Sequence, residues 1–399
     1  MNRPKLWTRA FIMVCLTNLF LSMNYYLLMV IFSEYTVNKF DAPQSIAGLS
    51  SSIFIIGALC SRPLAGKYLD VIGRRKLLYS SIAVFIVTTI LYLIINDLTL
   101  LLIDRFMHGA SIGVAATVIA TVMTSSIPIE RSGEGIGYFS MSVTISTAVG
   151  PFIAMLIVQQ SGYNAAFFMC VIFAVIGMVL AFAMKVENVK ISKEQAESLK
   201  GFKLSDFFEF SGLSMAILMV IIGFTYSSVI TFISPYAKEL NLTEAASVFF
   251  LIYAVFLLAS RPITGRRFDL KGENSVVYPC LILFLIGLVL LSQAQTGFIL
   301  LLAGVLIGIG YGTTMSCVQT IMVKKAPPHR VGLANSTFFV FFDLGMGVGP
   351  FALGAMIPLL GYKGMYISMA VVVLLSIIYY FFAHGKKATL MQKPVQIEQ

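Results

Sequence analysis

The sequence predicts an all-α membrane protein of twelve transmembrane helices, built as two six-helix bundles related by pseudo-twofold symmetry. Three observations predict it. Apolar runs recur about a dozen times, each near the ~20 residues that cross a bilayer as helix. A charged phrase set between two such runs returns 199 positions later, and one long polar interval divides the runs six and six. Composition agrees: 58% of residues are hydrophobic and 12% charged, with a mean hydropathy of +0.90. An ordinary soluble domain carries about 25% charged residues, so a soluble enzyme is excluded.

The spans fall at roughly 9–32, 45–65, 76–95, 98–122, 134–157, 164–185, 211–235, 244–264, 276–293, 297–322, 331–357 and 362–383. Turn chemistry separates them at Asp41-Ala42-Pro43, Asn96-Asp97, Ser161-Gly162-Tyr163-Asn164 and Ala326-Pro327-Pro328. The interval 186–210, rich in Lys and Glu, reads as a cytoplasmic linker between an N-terminal bundle over 1–185 and a C-terminal bundle with a short tail over 211–399. The first apolar run, about Ala10 to Phe32, is too long for a signal h-region and has no small-residue cleavage site, so it reads as the first span.

The net charge of +10 is a topology signal rather than a nucleic-acid patch. With a cytoplasmic N-terminus and alternating spans, 24 of the 28 Lys and Arg fall inside, leaving Lys39, Lys238 and Lys363 outside and Arg105 within a span. The positive-inside rule then puts both termini in the cytoplasm. The five cysteines sit in apolar runs without C-x-x-C spacing and read as small buried hydrophobes. Three scattered histidines make no metal site, and no cofactor is expected. No G-x-x-x-x-G-K-[ST] phosphate loop is present, so ATP is not the expected energy source.

Asn18, Ser22 and Tyr25 share one face of the first span, with Tyr26 beside them. Polar groups facing lipid are costly, so this face either lines a wet cavity or bonds to neighbouring helices. The loop from Ser61 to Lys76 holds Gly66, Asp70, Gly73, Arg74 and Arg75; Ser260 to Asp269 repeats its first part. The same offset pairs Gly109 with Gly308, Arg131 with Arg330, Gly150-Pro151 with Gly349-Pro350, and Gly162 with Gly361, which points to duplication. In the fourth span Arg105, Gly109 and Gly113 share a face, with Asp104 as the nearest counter-ion. An Arg at a helix centre costs about 2.5–3.5 kcal/mol on insertion scales, so that face is turned away from lipid. Its counterpart is Gly304, so the second copy lacks the charge.

In the fifth span Ser142, Ser146, Gly150 and Ala154 recur at intervals of four, with Pro151 behind Gly150, a stripe that lets another helix approach. The tenth span carries Tyr311 and Thr314 on a glycine-rich stretch, placed toward the cavity. The eleventh holds Asp343 among phenylalanines, Phe339 included; its counterpart is Thr144. A carboxylate in such company is costly to keep charged, which makes it either a proton carrier or a counter-charge for a cation, unless a neighbouring helix satisfies it.

The phrase Gly66-x-x-x-Asp70-x-x-Gly73-Arg74-Arg75 resembles the signature loop between helices two and three of the major facilitator superfamily. Arg105 followed by Gly109 is similar to that family's fourth-helix motif, and Gly150-Pro151 resembles the fifth-helix motif of its drug/proton antiporter branch. The last match is partial, because Phe152-Ile153-Ala154 stands where the branch has a glycine pair. The resemblance implies a monomeric, proton-coupled transporter in a bacterial inner membrane. It would export lipophilic or cationic small molecules by alternating access from a mid-membrane site between the halves. Arg105, Asp104 and Asp343 would take part in proton coupling. Asp70 would meet the cytoplasmic start of the eleventh helix, near Arg330, and hold a gate closed. Dedicated export or proton symport of one metabolite, such as a sugar, metallophore or amino-acid derivative, fits the same residues. The partners implied are the small molecule, protons and membrane lipids.

Overall fold

The computed structural model describes residues 4–42, 44–184, 186–188 and 203–391. Among the described residues all regular structure is helical. Helix α1 (Arg9–Phe40) starts at Thr8, whose hydroxyl accepts the Phe11 N–H at 3.2 Å. Gly73 alone separates α2 (Gln44–Ile72) from α3 (Arg74–Leu91). Asp97 caps α4 (Leu98–Ser126), accepting the Leu100 N–H at 2.8 Å. Then come α5 (Ser132–Ala183), α6 (Leu213–Glu239), α7 (Thr243–Lys271), α8 (Asn274–Ser292), α9 (Gly297–Lys325) and α10 (Val331–Tyr380). A π-helical turn over Phe381–Gly385 leads into the short α11 (Lys386–Met391).

Two of these helices are each a pair of spans. At Gly162 in α5 and Gly361 in α10 the backbone leaves helical geometry for a single residue, with φ of 77° and 67°. The four-residue turn expected at Ser161–Asn164 is thus a one-residue break. Ten stretches of the described chain are long and apolar enough to cross a membrane, both limbs of α5 and of α10 among them. With α2 and α3, which meet at the charged loop, they are consistent with twelve crossings.

The duplication reappears in the backbone. Among the described residues the four glycines with positive φ fall into two pairs at the sequence offset, Gly73 (98°) with Gly272 (78°) and Gly162 with Gly361. A side chain at such a φ is strained, so both copies need glycine to turn.

The chain divides into two compact units. The first takes in Met1–Pro128, Tyr138–Phe210 and Ala326–Val340; the second takes in Ile129–Gly137, Ser211–Lys325 and Phe341–Gln399. The start of α10 therefore belongs to the first unit and the start of α5 to the second. Most of the 186–210 interval, both extreme termini and Pro43 of the Asp41-Ala42-Pro43 turn lie outside the described residues.

Lipid is as apolar as leucine, so helices in a membrane associate through close packing more than through burial of apolar surface. Glycine supplies that closeness. A Cβ on Gly109 of α4 would run into the Phe54 carbonyl oxygen of α2, and one on Gly308 of α9 would stand 2.6 Å from the Tyr253 carbonyl oxygen of α7. On the outer faces large apolar side chains such as Phe168, Val179 and Phe182 of α5 stay exposed, as lipid-facing residues should. The cysteines correct one expectation. Cys170, Cys280 and Cys317 are buried, but Cys15 is half-buried and Cys60 exposed, because Cys60 lies on an outward face of α2.

Candidate functional site

Arg105 is buried in the first unit, 1% exposed. Gly109, one turn on, brings α2 close enough for the guanidinium to reach its backbone, and Arg105 Nε donates to the Ser50 carbonyl at 2.9 Å. The guanidinium carbon lies 4.0 Å from the centre of the Phe32 ring and 4.6 Å from that of Phe54, stacking that compensates part of the lost hydration. Nη1 has no hydrogen-bond partner. Asp104, expected as counter-ion, is buried and forms no ion pair with Arg105; its Oδ2 is also unpartnered. Adjacent residues on a helix point about 100° apart, so the two charges look toward different neighbours.

Three residues beyond Arg105, on the same side of α4, lies a group that reading the sequence passed over. His108 is fully buried, with Nδ1 2.8 Å from the Tyr92 hydroxyl and Nε2 3.3 Å from Thr89 Oγ1. Thr89 donates to the Phe85 carbonyl at 2.7 Å and accepts from Asn24 Nδ2 at 3.4 Å. Asn24 Nδ2 also reaches the Cys170 carbonyl at 2.8 Å. With Thr89 donating elsewhere, its oxygen is placed to accept from Nε2–H, and the Tyr92 hydroxyl faces Nδ1. One polar cluster thus ties together α1, α3, α4 and the second limb of α5. The signal in the sequence was the i, i+3 spacing from Arg105.

The polar face of α1 is divided. Asn18 Nδ2 donates to Ser142 at 2.7 Å, a helix-to-helix bond, while Ser22, Tyr25 and Tyr26 are half-buried and Tyr25 stacks on Phe54. Ser146 Oγ lies 3.1 Å from the Leu19 carbonyl, and a Cβ on Gly150 would stand 3.0 Å from that of Tyr26. The stripe that ends at Pro151 therefore packs on α1. In the second unit Tyr311 is buried and stacked on Tyr226 at 3.7 Å, and the Thr314 hydroxyl donates to its own helix at the Gly310 carbonyl. Asp343 is half-buried on the first limb of α10, and Phe339 lies under the Arg62 guanidinium at 4.6 Å. Asp343 and Arg105 belong to different compact units.

The signature loop closes on the start of α10, but not through Asp70. Gly66 packs against Ser336, whose hydroxyl donates to the Arg62 carbonyl at 2.7 Å. Asp70 pairs instead with Arg74, one turn along, at 2.6 Å, and Arg74 also reaches Ser125. Arg75 stacks on Tyr79 of its own helix. Arg330 pairs with Glu209 and donates to the Ser205 carbonyl at 2.7 Å. The carboxylate that does cap a helix start is the second copy's. Asp269 accepts the Gly133 and Glu134 N–H groups at the start of α5, both at 2.9 Å. Two positions differ between the copies: Arg74 corresponds to Glu273, which pairs with His384, and Ser125 to Lys324, which lies 3.8 Å from Asp269, so the second carboxylate has its cation on another helix and none a turn along.

Among the described residues no group of three or more His, Cys, Asp or Glu could hold a metal ion. A family model described as the Major Facilitator Superfamily matches residues 14–350 and, in a second match, 279–395. Similar proteins include the multi-drug resistance efflux pump PmrA of Streptococcus pneumoniae, 23% identical over 338 residues covering 84% of each chain. The multidrug resistance protein MdtG of Enterobacter lignolyticus is 25% identical over 346 residues, covering 84% of this chain and 81% of that one. The solved structure of FucP in the outward conformation matches with a TM-score of 0.77 at 14% identity, over 95% of this chain and 99% of that one. The crystal structure of the human organic anion transporter TETRAN matches with a TM-score of 0.74 at 15% identity, over 94% and 100%. At those identities the likeness is one of fold.

Proposed function

Because the chain belongs to the major facilitator superfamily, and is therefore a multi-pass membrane transporter of small molecules, we propose that it exports lipophilic or cationic compounds in exchange for protons, by alternating access. The observation that carries the export reading is the naming of PmrA and MdtG as multidrug resistance proteins, alike over more than four fifths of this chain. The geometry around Arg105 supports proton coupling. Its charge is buried among aromatic rings with one nitrogen unpartnered, so a change in the charge of a nearby group alters its energy strongly. Asp343, half-buried on α10 and absent from the first copy, is the second coupling group of this reading, and Asp104 the third. The site of action is a bacterial plasma membrane, with both termini cytoplasmic and the chain working as a monomer.

Ethidium accumulation in cells expressing the protein tests the export reading. Expression lowers accumulation, and a protonophore restores it. Unchanged accumulation across a panel of lipophilic cations and neutral drugs, with the protein present in the membrane, contradicts export of this class.

A further inference from the structure

Residues 203–210, which lead into α6, are held by two helix segments of the first unit, the end of α2 and the start of α10. Their own geometry is compact. The Lys203 N–H donates to Asp206 Oδ2 at 2.8 Å and opens a 3-10 turn over Leu204–Asp206, which the Phe207 N–H closes on the Leu204 carbonyl at 3.1 Å. Arg330, just before α10, grips this turn from one side. It pairs with Glu209, and its Nη2 donates to the Ser205 carbonyl at 2.7 Å and to the Phe208 carbonyl at 3.2 Å. The Glu209 N–H donates to Thr337 Oγ1 of α10 at 2.9 Å. On the other side lies Lys67 of α2, with Nζ 4.1 Å from the centre of the Phe207 ring and 5.2 Å from that of Tyr68. Lys67 is 2% exposed. A buried ammonium is costly unless it is compensated, and an aromatic face attracts a cation more strongly where water is excluded.

The two held segments also meet directly. Gly66 packs against Ser336, and a Cβ on Gly332 would run into Leu69, which is 1% exposed. The other copy has the same parts without the fastening. At the 199-residue offset Arg266, Arg131 and Tyr138 stand for Lys67, Arg330 and Thr337. Arg266 is exposed, and Arg131 pairs with Glu134, three residues along its own chain. A buried cation on the loop and an arginine that reaches away from its own helix thus occur together, where residues 203–210 lie against both.

We infer that residues 203–210 are a strap that fastens the start of α10 to the end of α2, and that its release opens this junction. One cation holds each side, Lys67 on α2 and Arg330 on α10, so loss of either hold frees the same junction. The strap is a property of the resting protein and does not depend on the transported substrate.

Backbone amide hydrogen exchange of the purified full-length protein in detergent, read by mass spectrometry over residues 62–72 and 331–340, tests it. Phe207→Ala removes the hold on α2 and Glu209→Gln weakens the hold on α10. Each is expected to speed exchange in both segments by about fivefold or more, as loss of one such contact should, while exchange across α4 stays as in the parent. Glu134→Gln, which breaks the pair made by Arg131 in the other copy, leaves both segments unaltered. Three results overturn the inference: unchanged exchange in both segments of both variants, which means the strap only rests on the surface; a rise confined to α2 in Phe207→Ala and to α10 in Glu209→Gln, which means two separate contacts; or an equal rise across α4, which means a general loss of stability.

Discussion

Arg105 illustrates what a single residue in this protein must satisfy. Its guanidinium is planar, and it lies close to the rings of both Phe32 and Phe54. Lysine offers a compact ammonium that neither stacks in this way nor donates from the same place. Arg105→Lys is therefore expected to insert and fold yet lose most proton-coupled transport, measured as substrate efflux down an imposed pH gradient. Wild-type efflux from the lysine variant would show that only the charge matters. The neighbouring glycine gives a cleaner packing test. Gly109→Ala drives a methyl group into the Phe54 carbonyl and is expected to destabilise by about 1–3 kcal/mol, as overpacking does. Gly347→Ala, with nothing within 4 Å of the added carbon, leaves Tm unchanged. Equal effects of the two would remove the close-approach account of α2 and α4. The burial of Arg105 was legible in the sequence, because lipid does not tolerate it cheaply. Its company was not: which side chains of α1 to α3 meet it depends on how each helix is rotated, and no spacing rule fixes that. His108 was missed for the same reason, since Tyr92 and Thr89 approach it from another helix.

At the scale of helices, the two copies of the signature loop use one carboxylate in two ways. Where an arginine stands one turn along, as in the first copy, Asp70 stays within its own loop; where that position holds Glu273, Asp269 is released to cap the start of α5. A cap of this kind is worth about 0.5–2 kcal/mol. Asp269→Asn substitutes an amide donor for one acceptor, so amide hydrogen exchange at Gly133 and Glu134 is expected to accelerate, while Asp70→Asn leaves it unaltered. Exchange that responds equally to both substitutions would contradict the division of roles. The family resemblance directed attention to Asp70 and the start of α10, and the loop does pack there through Gly66 and Ser336. The Asp70–Arg74 pair was readable as an i, i+4 spacing, but the pattern of a motif does not say which of two available partners a charge takes.

Across the whole molecule the sequence carries its plan more openly than its chemistry. The recurring apolar runs and the 199-residue offset were readable, and the offset returns in the backbone as paired glycines at positive φ. Helix ends were less so, because α1 and α2 continue as helix to Phe40 and Ile72, past the apolar runs that mark a bilayer crossing. Topology is a separate prediction. In a background without native cysteines, Lys76→Cys is expected to react with an impermeant thiol reagent only from the cytoplasmic side, and Lys363→Cys only from the outside. The reverse pattern would invert the assignment drawn from the positive-inside rule. Charge, in contrast, is unequal between the copies: Arg105 and Asp343 have Gly304 and Thr144 as counterparts, and the proposed coupling rests on these unpaired charges. The central claim is that these two groups link proton movement to export. Substrate-induced proton movement in proteoliposomes with an imposed pH gradient tests it most directly, comparing wild type with Arg105→Ala and Asp343→Asn. The account predicts that ethidium dissipates the gradient through the wild-type protein and through neither variant. Folded, inserted variants that dissipate it as wild type does, or a wild-type protein that moves ethidium without protons, would contradict it.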